Sequence, residues 1–132
     1  MIRPATAGDF DRIFEIARNA YPEFNEETSR LWGQSALQNP NVLVAVGERG
    51  FGVAAVSAPF YAPHKLKAVM LFLASTKGAG YEPCALLRYM INWAKERGAV
   101  SFHFGEETGV NLAPLAKRVR ATKDRDSYAI RF

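Results

Sequence analysis

The stretch from Ala68 to Phe104 limits the architecture of this chain most. Ala68 to Ala74 is a continuous apolar run, Ser75 to Gly80 carries two glycines, Leu86 to Ala94 repeats apolar residues at helical spacing, and Val100 to Phe104 is a second apolar run. Strand, turn, helix and strand in that order need a crossover, so the two strands lie parallel or splay from a near-parallel start. The unbroken apolar character predicts burial of Ala68 to Ala74 on both faces. Pro83 suits a first helical turn, where its missing N–H costs nothing. Leu86, Leu87, Met90, Ile91 and Ala94 form the helix stripe, Tyr89 and Trp93 widen it, and Arg97-Gly98 ends it. The turn is rich in backbone N–H groups and opens a helix, which fits a phosphate group. An ordinary strand-to-helix turn has the same sequence signature.

The remaining elements follow from local patterns. Met1 to Ala5 reads as a first strand. Thr6 and Asp9 have the spacing of a capping box, and Phe10, Ile13, Phe14, Ala17 and Tyr21 recur at helical spacing until Pro22. Asn25 caps a second helix whose first turn holds Glu26 and Glu27 and which carries Leu31, Trp32 and Leu37 as far as Asn39-Pro40. Val42 to Val46 and Phe51 to Pro59, joined by Gly47-Glu48-Arg49-Gly50, form a β-hairpin signature. Asn111 to Val119 predicts a short helix, and Tyr128 to Phe132 a closing strand. The order is β-α-α-β-β-β-α-β-α-β, in one domain spanning residues 1–132.

At 132 residues and 48% apolar content the chain can bury a proper core. No apolar run reaches the roughly 18 residues of a membrane span. The first residues lack a signal-peptide core. The single Cys84 excludes an internal disulfide, and both features fit a cytoplasmic protein. Cys84 opens a helix, which allows either a reactive thiol or a small packed residue. The net charge of +4 is concentrated late in the chain, at Lys117, Arg118, Arg120, Lys123, Arg125 and Arg131. Such a run meets an anionic partner or forms a solvated face. Residues 118 and 120 diverge by about 200° on a helix, so a continuous phosphate-tracking stripe is not expected, and any nucleic-acid binding should be weak and salt-sensitive.

Several strings, taken in order, resemble the GNAT superfamily of N-acetyltransferases. They are the opening IRPAT, the hairpin NVLVAVGERGFGVAAVSAP, the helix and strand ALLRYMINWAKERGAVSFHF, and the closing SYAIRF. The closing string is similar to small members carried by tailed phages. The resemblance covers nearly the whole chain. It implies an α/β fold with a mixed, mostly antiparallel sheet, helices on both faces and a splayed strand 4/strand 5 pair. It also implies acetyl-coenzyme A as cosubstrate, lying in that opening, with its pyrophosphate on a loop of the form [R/Q]-x-x-G-x-[G/A]. Matched on the glycines, that loop is Ser75 to Gly80, with Ser75 in the place of Arg or Gln. Matched on Leu86-Leu87, it ends in Tyr81, Glu82 and Pro83. The loop is altered in either register: Pro83 lacks a donor, Glu82 adds a negative charge and Lys77 offsets it. The resemblance assigns Phe72, Leu73, Ala74, Lys77, Gly78, Ala79, Gly80, Tyr81 and Asn111 to the cosubstrate.

Acetyl transfer needs a base for the amine and an acid for the leaving thiolate. His103 lies between Phe102 and Phe104 and so points to the opposite sheet face; its ordinary pKa suits proton abstraction. A structural histidine is the competing reading. Glu106, with Glu107, lies just past that strand, and His64 sits in a proline-flanked loop. The tyrosine acid of the family follows an asparagine in the fourth helix; here NLAPLAKRVRAT carries Asn111 but no tyrosine, and Tyr128 stands in by position. Two functions remain in view. One is an N-acetyltransferase acting on an amine of unread identity. The other is a GNAT-fold binding or assembly module, phage-related, that has lost catalysis. A basic nucleic-acid module ranks behind both, a homodimer is compatible with either, and no metal-ligand spacing is present.

Overall fold

The computed structural model describes residues 1–105 and 113–121. Arg3–Pro4 forms β1, and a 3₁₀ turn at Ala7–Asp9 leads into α1, Phe10–Ala20. The Thr6 N–H donates to Asp9 Oδ2 at 2.8 Å, one half of the expected capping box. The second helix, α2, spans Glu26–Gln38, with Asn25 Oδ1 accepting from the Thr28 N–H at 3.0 Å. The hairpin is β2 (Val42–Val46) and β3 (Gly50–Ser57), followed by β4 (Lys67–Ser75), α3 (Glu82–Glu96), β5 (Ser101–His103) and α4 (Ala113–Arg118). Gly98 adopts φ +84° after α3, and the bonds Gly98 N–H to Lys95 O and Ala99 N–H to Ala94 O close the helix as a Schellman motif. The predicted closing strand at Tyr128 to Phe132 lies outside the described residues.

Among the described residues, five strands form one sheet in sequence order. β1–β2, β2–β3 and β3–β4 are antiparallel, and β4–β5 is parallel. The crossover through α3 produces that parallel pair. Helices α1 and α2 cover one face, where Phe10, Ile13, Phe14, Val44, Val46, Phe51 and Val53 meet. Helix α3 covers the other, burying Leu86, Leu87 and Met90 completely against Leu43, Ala45, Ala54, Met70 and Leu73. Complete burial of each such side chain stabilises by roughly 1.5–3 kcal/mol. Leu115 and Val119 extend this second cluster.

Strand β4 carries an irregularity that matters for the site. Phe72 pairs with Val53 and Met70 with Ala54, so Leu71 is an extra residue opposite β3. Met70 and Leu73 both pack toward α3, whereas Leu71 and Phe72 both lie on the α1/α2 face. The bulge reverses the alternation and turns two consecutive side chains to one side. It also corrects the expectation of a strand buried on both faces: Val69 and Phe72 are 40% and 39% exposed. At these positions the α1/α2 layer leaves the sheet uncovered.

Candidate functional site

β4 pairs with β5 only through Lys67–Ser101, Ala68–Phe102 and Val69–His103, while it runs on to Ser75 against β3. Among the described residues, the outer edge of β4 beyond Val69 has no strand partner. Phe102 packs with Ala68 and Ala94 on the α3 side. His103 therefore points to the α1/α2 face, in line with Val69, as its flanking phenylalanines predict. Ser101, two residues back on the same face, places Oγ 2.8 Å from His103 Nε2. Ser101 thus fixes the ring.

The turn at residues 76–81 follows β4. Gly78 and Gly80 take φ +79° and +63°, a region that favours glycine, and a Cβ would meet nothing at either position. Ala79 N–H bonds to Thr76 O and Glu82 N–H to Ala79 O. Among the described residues, the N–H groups of Lys77, Gly78, Gly80 and Tyr81 meet no acceptor. The β2–β3 turn braces this segment from the side. Arg49 O accepts from Thr76 N–H at 2.7 Å, Arg49 N–H donates to Glu82 Oε2 at 2.7 Å, and Arg49 Nη1 donates to Gly78 O at 3.0 Å. The Glu82 carboxylate, at the end of the turn, is thus engaged by the hairpin. Arg118 lies 4.8 Å over the Tyr81 ring, and Tyr81 is itself 70% exposed. N–H groups without acceptors, with the Arg49 and Arg118 guanidinium groups against the same turn, are an arrangement whose chemistry suits an anion.

On the α1/α2 face a cavity of about 500 Å³ lies between the two helices and the sheet. Its floor is buried Phe10, Ile13, Phe14 and Val53, and its mouth is Tyr21, Trp32 and Phe72. The Phe72 ring meets Tyr21 edge-on at 5.8 Å and Trp32 at 6.3 Å. Burial pushes the Tyr21 hydroxyl above its usual range, partly opposed by the Leu73 carbonyl 3.5 Å away. The hydroxyl is a proton-bearing group at neutral pH.

The sequence-predicted residues fall into three groups. Lys77, Gly78, Ala79, Gly80 and Tyr81 form the turn. Leu73 and Ala74 are buried, so only their backbone can serve a ligand, and Phe72 faces the cavity. Glu106, Asn111 and Tyr128 lie outside the described residues. His64 is exposed in the 58–66 loop, and Cys84 is buried in the core, away from solvent. Helix α4 ends at Arg118, and Arg120 follows at φ +58°, so the basic run does not continue along one helix. Sequence reading missed Arg49, Tyr21 and Trp32 as site residues: one looked like a hairpin turn and two like helix faces. Among the described residues, no three His, Cys, Asp or Glu side chains are placed to hold a metal ion, and no helix is long and apolar enough to cross a membrane.

No family model and no curated protein sequence matches the chain. Solved structures do. An Agrobacterium tumefaciens C58 protein assigned as an acetyltransferase matches at TM-score 0.84 and 12% identity, covering 100% of this chain and 99% of its own. AAC(6')-Iy, in complex with the bisubstrate analogue CoA-S-monomethyl-acetylneamine, matches at TM-score 0.82 and 10% identity, covering 100% and 97%. A Bacillus halodurans C-125 transcriptional regulator matches at TM-score 0.81 and 14% identity, covering 100% and 99%. Identities this low speak to architecture alone. Among the described residues, the mixed five-stranded sheet with one parallel pair, clasped between helices, has the GNAT fold of the acetyltransferases among these structures.

Proposed function

We propose that this chain is an acetyl-coenzyme A-dependent N-acetyltransferase. The observation that carries the reading is the meeting, at one end of the sheet, of the β4–β5 opening beyond Val69 and the donor-rich turn at residues 76–81. In this reading the pyrophosphate sits on the N–H groups of Lys77 to Tyr81, with Arg49 and Lys77 supplying positive charge. The pantetheine arm follows the uncovered edge of β4. AAC(6')-Iy, a protein of this fold, was solved with a coenzyme A bisubstrate analogue, which supports acetyl-coenzyme A as the cosubstrate.

The chemistry asks for a base and an acid. His103, held by Ser101, takes the proton from the acceptor ammonium, directly or through water. The freed nitrogen attacks the thioester carbonyl and gives up its second proton to solvent, the C–S bond breaks, and the coenzyme A thiolate takes a proton from an acid, a role we assign to Tyr128, which is then reprotonated from solvent. A competing reading, a GNAT-fold binding module, is favoured by one observation: α4, APLAKR, contains no tyrosine.

Two assays separate these readings. Millimolar acetyl-coenzyme A should raise the melting temperature, because a ligand bound only by the native state stabilises it by mass action. An amine panel should then release coenzyme A thiol. No thermal shift removes the enzyme reading. A shift without thiol release from any amine transfers the assignment to the module.

A further inference from the structure

The cavity under α1 and α2 has no part in holding the cosubstrate in the reading above, and its chemistry is unlike that of the turn. At about 500 Å³ it falls within the range of roughly 300–1,000 Å³ typical of small-molecule pockets. Among the described residues, none that lines it carries a charge; its polar side-chain groups are the hydroxyls of Tyr21, Thr28 and Ser29 and the indole N–H of Trp32. The Thr28 hydroxyl is already engaged by the Asn25 side chain at 3.1 Å. Two cations sit on its aromatic wall: Arg30 lies 5.0 Å over the Phe14 ring and Arg18 lies 5.7 Å over the Phe24 ring. Each holds a carboxylate, Asp11 at 3.0 Å and Glu26 at 3.2 Å, so these two anions are committed. His103 and Val69 share the sheet face on which this cavity lies.

We propose that the cavity is the acceptor pocket, and that the acceptor is a monoamine with an aromatic or aliphatic body, an arylalkylamine in the simplest case. The inference rests on the acyl-transfer reading. The body would bury against Phe10, Phe14 and Trp32, and the amine would remain at the aromatic mouth. A polyamine or aminoglycoside would carry further ammonium groups into a space with no charge to receive them, which is costly. The apolar surroundings also favour the neutral amine over the ammonium. In the reaction the amine loses one proton to the base, its nitrogen bonds to the acetyl carbon, and the C–S bond breaks to give amide and coenzyme A.

The test uses phenethylamine and hexylamine against spermidine and kanamycin, on the full chain. Binding of phenethylamine alone should quench tryptophan emission, and the quench should be lost in Trp32→Phe. With acetyl-coenzyme A, kcat/KM for the apolar amines should exceed that for the polycations by at least tenfold. Ser29→Phe, which fills the cavity from α2, should raise the KM for phenethylamine at least tenfold and leave the thermal shift with acetyl-coenzyme A unchanged. Trp32→Ala, at a position 46% exposed, should raise that KM in the same direction. Preference for a polycation, or no phenethylamine quench, overturns the pocket assignment even where acetyl-coenzyme A binds. Quench by phenethylamine without any acetyl-coenzyme A shift leaves the pocket standing and removes the acyl-transfer reading instead.

Discussion

Single residues carry the sharpest expectations. His103 is the one predicted site side chain whose orientation follows directly from register, because Phe102 packs toward α3 and an adjacent residue must face the other way. His103→Ala should slow turnover roughly 100-fold, the usual scale of general-base catalysis, while the acetyl-coenzyme A thermal shift persists. Ser101→Ala should give a smaller loss of turnover and a changed pH profile, because it removes the 2.8 Å hydroxyl contact to the ring without removing the ring. Arg49 was invisible as a ligand group in the sequence, where Gly47-Glu48-Arg49-Gly50 reads as a hairpin turn. Only the sheet brings that turn beside residues 76–81. Arg49→Ala should weaken acetyl-coenzyme A about tenfold, or about 1.4 kcal/mol, with Arg49→Lys recovering part of it; calorimetric titration reads both. Arg120 adopts φ +58°. This is a conformation that costs a non-glycine residue about 1 kcal/mol, so Arg120→Gly should raise the urea midpoint by a comparable stabilisation.

Helices and strands add expectations about stability. Asp9 joins the start of α1 to β1: it takes 2.7 and 2.8 Å bonds from the Arg3 guanidinium and a 2.8 Å bond from Thr6 N–H. The Arg3 hydrogen bond, followed by the Thr6 backbone, holds the Asp9 carboxyl well below the usual carboxylate range. A carboxyl depressed in the folded state stabilises fully above its unfolded value, near pH 4, and loses that contribution as pH falls toward the folded value. Asp9→Asn should therefore be less stable than the parent protein at pH 7, and the gap in urea midpoint should narrow at pH 3. A gap that is constant with pH would remove the electrostatic account. At the β3 edge, a Cβ on Gly50 would come within 2.7 Å of the Ala74 carbonyl. Backbone cannot yield there as a side chain can, so Gly50→Ala should destabilise by about 1–3 kcal/mol.

Over the whole molecule, much of the architecture was legible because periodicity changes where elements change. The 3.6-residue repeats of α1 and α3, the hairpin and the obligatory crossover between β4 and β5 all follow from local pattern plus chain connectivity. The β4 bulge was not legible. A continuous apolar run looks the same whether Leu71 and Phe72 alternate or share a face, and the difference decides whether the strand is sealed or lines a cavity. The cavity was equally hidden, since Tyr21 and Trp32 look like ordinary helix-face aromatics until α1, α2 and the bulge bring their rings to Phe72. The turn was half legible: its glycines stand out, but the arginine that braces it and the engagement of Glu82 arise from contacts made across the sheet.

In the proposed reading, the turn and the open edge of β4 together receive acetyl-coenzyme A. Amide chemical-shift mapping during titration of the intact protein with acetyl-coenzyme A tests it most directly. Saturable shifts are expected, centred on the amides of residues 77–81 and on β4 from Val69 to Leu73, with the Lys77, Gly78, Gly80 and Tyr81 N–H signals moving most. Absence of shifts at millimolar cosubstrate, or shifts confined to the basic segment around Lys117 to Arg120, would contradict it.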